Sequence, residues 1–175
     1  MRWRTAFVVA LVVGLAWIWV SRVPEGAAGS QGLPPAPTVG HPAPDFTLAT
    51  PTGELLSLRA LRGQAVLVNF WASWCGPCRS EMPAFQAAYE RYKDQGFTIL
   101  AVNQGEAGAT ATTFAQRLGL TFPIVLDSRG EASDLYGVRA LPTSFFVDRE
   151  GIVRAVVVGA MNGPLLESNL RRIFP

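Results

Sequence analysis

Apolar positions recur along this chain in three rhythms, and each predicts a different kind of element. Val66 to Trp71 is apolar at every position but Asn69, the pattern of a strand buried on both faces at the centre of a sheet. Phe97 to Asn103 repeats that pattern and Phe122 to Leu126 repeats it in shorter form. Met82, Phe85, Tyr89 and Tyr92 recur at helical spacing, which predicts a helix from just after Cys75 to about Lys93, ended by Gly96. Phe114 and Leu118 lie one turn apart in a second helix over 110–118, and Glu131 to Tyr136 is a short third one closed by Gly137.

The remaining rhythm is alternation around turn residues. Asp45 to Leu48 and Glu54 to Ser57 flank Thr50-Pro51-Thr52-Gly53, and Ser144 to Asp148 and Ile152 to Val158 flank Asp148-Arg149-Glu150-Gly151, so both pairs read as hairpins. Leu58 to Leu61 makes one helical turn closed by Gly63. Asn162 and Pro164 open a last helix with a Leu166, Leu170 and Ile173 stripe, and Arg171 and Arg172 complement its negative end. No fixed-period repeat is present. The elements sum to an α/β domain, a mixed sheet with helices on both faces.

Ahead of this domain the pattern changes. Seventeen residues between Arg4 and Arg22 carry no charge, and the Pro/Gly-rich stretch that follows can neither pack a core nor hold regular structure. Residues 1–22 are therefore expected to form an N-terminal signal anchor, 23–40 a linker and 41–175 the folded domain. Trp17 and Trp19 suit a membrane interface and Arg2 and Arg4 favour a cytoplasmic start, which points to an uncleaved, single-pass anchor. The alternative is a cleaved export signal, for which Gly26-Ala27-Ala28 supplies small residues. Either way the domain is expected outside the cytoplasm.

Composition then removes several classes of function. The 175 residues are 49% apolar, enough for one ordinary core. Net charge is +2, but once the first thirty residues are set aside twelve basic and twelve acidic residues remain, so no electrostatic case for nucleic acid exists. Two cysteines cannot build a four-thiolate zinc site, and the single histidine, His41, lies far off in a Pro-rich segment. No metal is expected, and His41 receives no chemistry.

The two cysteines are Cys75 and Cys78, separated by Gly76 and Pro77 where the central strand gives way to the long helix. Unpartnered N–H groups and the positive end of the helix dipole favour a thiolate at Cys75. Cys78, one turn further in, is more enclosed and keeps its proton longer. Cys75 then attacks a substrate disulfide and Cys78 resolves the mixed disulfide. A purely structural bridge is the weaker reading, because so short a loop removes little unfolded-state entropy.

From about Val39 to Ile173 the chain resembles the membrane-anchored thioredoxin-like proteins of the TlpA/ResA/DsbE group, ResA most of all. The motifs that carry the resemblance are NFWASWCGPC followed by Glu81-Met82-Pro83, AVNQGE at Ala101 to Glu106, FPIVLD at Phe122 to Asp127, and LPTSFFVDREG at Leu141 to Gly151. It implies a thioredoxin fold with an extra N-terminal hairpin and a central helical insertion. It further implies a cis Pro142 that, with Leu141, faces Cys75 and shapes the substrate site together with Trp74, Gly76 and Pro77. Glu106 is implied as a functional carboxylate that tunes Cys78, since Asn69 stands where cytoplasmic thioredoxins carry a buried Asp. Trp71 is expected to pack, Pro83 to kink its helix, and Glu81, on a charged face, to be solvated and outside the site.

The activity implied is that of an anchored thiol-disulfide oxidoreductase needing no cofactor beyond its redox-active disulfide. It would reduce the cysteines of apocytochrome c before haem attachment, act as a monomer, and be re-reduced by a thiol donor embedded in the membrane. A general extracytoplasmic reductase or one for copper-site assembly differs only in substrate. A peroxiredoxin needs a hydroxyl beside one peroxidatic cysteine, whereas the approach to Cys75 is Trp71-Ala72-Ser73-Trp74. A redox-inert binding module or copper chaperone leaves Pro142 and Glu106 without a role.

Overall fold

The computed structural model describes residues 32–174. The expected anchor at 1–22, and the linker as far as residue 31, lie outside the described residues. Among those described, no helix is long and apolar enough to cross a membrane.

Seven strands form one sheet. β1 (Thr47–Ala49) and β2 (Leu55–Ser57) are the first hairpin. β3 (Ala65–Trp71) leads into α1 (Gly76–Tyr92), β4 (Phe97–Gln104) into α2 (Gly108–Leu118), and β5 (Ile124–Asp127) into α3 (Glu131–Leu135). The second hairpin is β6 (Thr143–Val147) with β7 (Val153–Val158), and α4 (Gly163–Leu170) follows. Strand order is β2-β1-β5-β4-β3-β6-β7, with β3, β4 and β5 parallel and the other pairings antiparallel. The mixed sheet is the expected one, with the extra hairpin at one edge and the inserted helix, α2, between β4 and β5.

Burial explains the strand assignments. Every residue of β3 is buried, because it lies between β4 and β6 and is covered on both faces. On one face Leu67, Trp71, Phe97 and Ile99 pack against Met82 and Phe85 of α1, Ala111 of α2 and Leu166 and Leu170 of α4. On the other, Val66, Val68, Phe70, Leu100 and Val102 meet Ala43, Phe46, Leu58, Ala132 and Tyr136. Tyr136 caps this second core with its ring packed edge-on to those of Phe46 and Phe145, and its hydroxyl donates to the Pro44 carbonyl at 2.7 Å.

Several ends are fixed by specific residues. Asn162 accepts from the Leu165 N–H at 3.0 Å and starts α4 where expected. The buried Asp127 accepts from the N–H groups of Ala132 and Ser133 and from the Ser133 hydroxyl, which ties β5 to α3. Pro83 does not end α1, which runs on to Tyr92. The stretch expected as linker is already tied down by Gly40, whose N–H donates to Val153 O at 2.8 Å; Ala43 N–H bonds Gly151 O at 2.9 Å. The chain therefore enters the domain at the end of the sheet where β6 turns into β7.

Candidate active site

Trp71 closes strand β3 in the middle of the sheet, and the next four residues turn into α1. Cys75 is the N-cap of that helix: its backbone is extended, its sulfur accepts the Cys78 N–H at 3.2 Å, and Pro77 occupies the first turn, where a missing N–H costs nothing. The sulfurs are joined as a disulfide with Cα atoms 5.3 Å apart. Cys75 is 5% exposed and Cys78 fully buried, so the asymmetry expected between the two is present. Trp74, at 69% exposed, stands on the surface, while Trp71 is buried with its ring 5.0 Å from that of Phe114. Gly76 and Pro77 are exposed at the tip of the turn.

The peptide bond between Leu141 and Pro142 is cis, as the resemblance implied. Leu141 packs with the core cluster that contains Cys75 and Cys78, and the Pro142 carbonyl accepts from the Gly159 N–H at 2.8 Å, which fixes the loop to the end of β7.

Glu106 lies in the loop after β4 and bonds the turn that precedes Cys75. Its carboxylate accepts from the Ser73 N–H at 2.7 Å, the Ser73 hydroxyl at 2.5 Å and the Asn103 side-chain amide at 2.7 Å. Burial pushes this carboxyl up, but the hydroxyl, the N–H and the amide together outweigh it and hold the group below the ordinary carboxylate range. A group ionised so firmly makes a poor proton carrier at neutral pH. What it does is clasp the turn before Cys75 to the loop after β4.

The carboxyl that burial shifts upward is Glu81, and here the expectation of a solvated side chain is overturned. Glu81 is fully buried; it accepts from the Asn69 side-chain amide at 3.0 Å and from the Met161 N–H at 3.0 Å. Asn69 also donates to the Ser144 hydroxyl at 3.0 Å, so one buried network joins β3, β6, α1 and the loop before α4. Burial raises the Glu81 carboxyl to about 7, against the pull of those two hydrogen bonds. The signal was present in the spacing. Cys78, Glu81, Met82 and Phe85 stand at i, i+3, i+4 and i+7, a single helix face, and two of its members are core hydrophobics.

Among the described residues no three His, Cys, Asp or Glu side chains are grouped to hold a metal ion. The chemistry at hand is that of two sulfurs at a helix N-terminus, a buried titratable carboxyl one turn behind the inner one, and a cis-proline loop whose Leu141 packs against the same core cluster.

That site on that sheet defines a thioredoxin-like thiol-disulfide oxidoreductase. The chain belongs to the AhpC/TSA family, whose model matches residues 39–156. It is 44% identical to the thiol-disulfide oxidoreductase ResA of Geobacillus kaustophilus over 98% of this chain and 95% of that one, and 34% identical to ResA of Bacillus subtilis over 98% and 92%. Among solved structures it is similar to one described as a thiol:disulfide interchange protein DsbE from Chlorobium tepidum (37% identity, TM-score 0.69, covering 74% of this chain and 93% of that one). StoA from Bacillus subtilis is similar at 34% identity with TM-score 0.62, covering 73% and 96%.

Proposed function

We propose that this oxidoreductase is an extracytoplasmic reductant, held to the membrane by its N-terminal segment, that returns the cysteine pair of apocytochrome c to thiols before haem attachment. The observation that supports a selective substrate is the enclosure of the sulfurs: Cys75 is 5% exposed and Cys78 fully buried, so a disulfide must come against the surface around Trp74 to reach Cys75. The choice of apocytochrome c comes from the resemblance to the ResA group.

In the proposed cycle the Cys75 thiolate attacks one sulfur of the substrate disulfide. That S–S bond breaks, and the other substrate sulfur leaves as a thiolate and takes a proton from water. Cys78 then gives its proton to the Glu81 carboxylate and attacks the Cys75 sulfur, which releases the second substrate thiolate and closes the Cys75–Cys78 disulfide. Two electrons pass to the substrate, and the sulfurs themselves carry them without a further cofactor. A thiol donor embedded in the membrane restores the dithiol. Glu106 keeps the turn in register, and Trp74, Gly76, Pro77, Leu141 and Pro142 form the surface the substrate meets. The enzyme works as a monomer.

The test is capture. Cys75→Ser abolishes reduction of insulin, and Cys78→Ser halts at a stable mixed disulfide. Apocytochrome c recovered from that trap in cells supports the reading; a broad set of unrelated exported proteins, or copper-site proteins, overturns it.

A further inference from the structure

A cavity of about 560 Å³ opens beside the active-site turn, and it contains neither sulfur. Ser73 and Arg79 line one side; Thr110, Thr113, Phe114 and Arg117 of α2 line the other. The Phe114 ring, packed on Trp71, supplies an apolar wall. Arg79 directly follows Cys78, and its N–H donates to the Cys75 carbonyl at 3.1 Å, so its backbone is tied to the redox motif.

The charged side chains that line this groove are Arg79 and Arg117, both cationic, while the ionised Glu106 is bonded to Ser73 at its edge. Among the described residues Arg79 and Arg117 form no ion pair, in contrast to Arg59, Arg91, Arg129 and Arg154. Helix α2 contains no acidic residue, and the first turn of α1 has none. Glu106, the nearby carboxylate, has both oxygens engaged by Ser73 and Asn103. The arginines at the opposite end of the sheet differ: Arg149, Arg154 and Arg172 share their cleft with Asp148 and Glu150, and Arg154 is paired with Asp148. Two unpaired guanidinium groups, with the Thr110 and Thr113 hydroxyls on the same lining, supply donors suited to the two oxygens of a carboxylate.

We propose that this groove binds an acidic side chain of the substrate protein a few residues from its disulfide, and so sets substrate preference. The inference rests on the reading of the protein as a reductant of protein disulfides. Because Ser73, two positions before Cys75, lines the groove, a residue a short extended stretch from the attacked sulfur can reach it, at about 3.3 Å per residue.

Two measurements test it. The first is anisotropy of a labelled peptide carrying two glutamates beside a serine in the cysteine position, titrated with the oxidised protein. It is expected to bind about tenfold more tightly than its glutamine counterpart at low salt, and the difference disappears in the Arg79→Gln/Arg117→Gln variant and at about 0.5 M salt. The second is reduction of the matching disulfide peptides by the reduced protein, where the same preference is expected in kcat/KM while reduction of uncharged hydroxyethyl disulfide is unchanged by the double substitution. Equal binding of the acidic and amide peptides overturns the proposal, as does a preference that survives the double substitution. Preferential binding without peptide reduction upholds the groove and removes the reductase reading instead.

Discussion

A glutamate in water titrates near 4.5, and at Glu81 burial raises that value to about 7. Folded protein therefore holds this proton more tightly than unfolded chain. The stability that protonation contributes is fully present below pH 4.5, declines as pH rises from 4.5 to 7, and is gone above. The span corresponds to a loss of about 3 kcal/mol. In urea unfolding, Glu81→Gln is expected to remove most of that decline, since a glutamine carbonyl still accepts the Met161 N–H. A decline of the same size in the variant assigns it to another group. The substitution is also expected to shift the pH profile of disulfide exchange, because the proposed proton acceptor for Cys78 is then gone. Read alone, Glu81 resembled its exposed neighbours Arg79 and Ser80; its helical phase relative to Cys78 and Met82 distinguishes it, and the Asn69 partner comes from a strand twelve positions earlier.

At the scale of elements, the site depends on loops being held together. Ser73 lies before α1 and Glu106 before α2, and nothing local requires them to meet; they do so because β3 and β4 are parallel and in register, with Trp71 opposite Asn103. Glu106→Ala leaves the Ser73 N–H and the Asn103 amide without their acceptor and is expected to cost about 1 to 3 kcal/mol at neutral pH. Because the folded protein holds this carboxyl below the ordinary range, its contribution is present above the unfolded value and lost as pH falls through the folded one, so wild type and variant converge in acid. Urea midpoints at pH 7 and pH 3 check both statements. A gap that persists unchanged in acid points to packing instead of charge.

For the molecule as a whole, stability is concentrated in the middle of the sheet. Leu67 is fully buried in β3, whereas Leu55 on edge strand β2 is 75% exposed. Leu67→Ala is expected to cost about 2 to 5 kcal/mol and Leu55→Ala less than about 0.5. Thermal or urea unfolding of the two variants measures the contrast, and comparable losses show that the edge hairpin bears more of the fold than its exposure indicates. The architecture was largely legible beforehand, because a strand buried on both faces leaves a continuous apolar run and hairpins carry their own turn residues. Element limits moved by a residue or two, as at α2, which begins at Gly108 and not at Thr110. The expected linker was less legible: Pro and Gly exclude regular structure, yet Gly40 at its end still bonds to the start of β7.

The order of elements, the redox pair and its place at a strand-to-helix turn are determined by the sequence itself, since each is written in residues adjacent or one helical turn apart. The assignment of the two carboxylates was decided only by the tertiary structure. Burial, and hence pKa, is a property of everything packed around a group, and for Glu81 and Glu106 those surroundings come from β3, β6 and loops far away in the chain. One glutamate is a buried carboxyl with a raised pKa one helical turn from Cys78, and the other is a fixed anion beside Ser73.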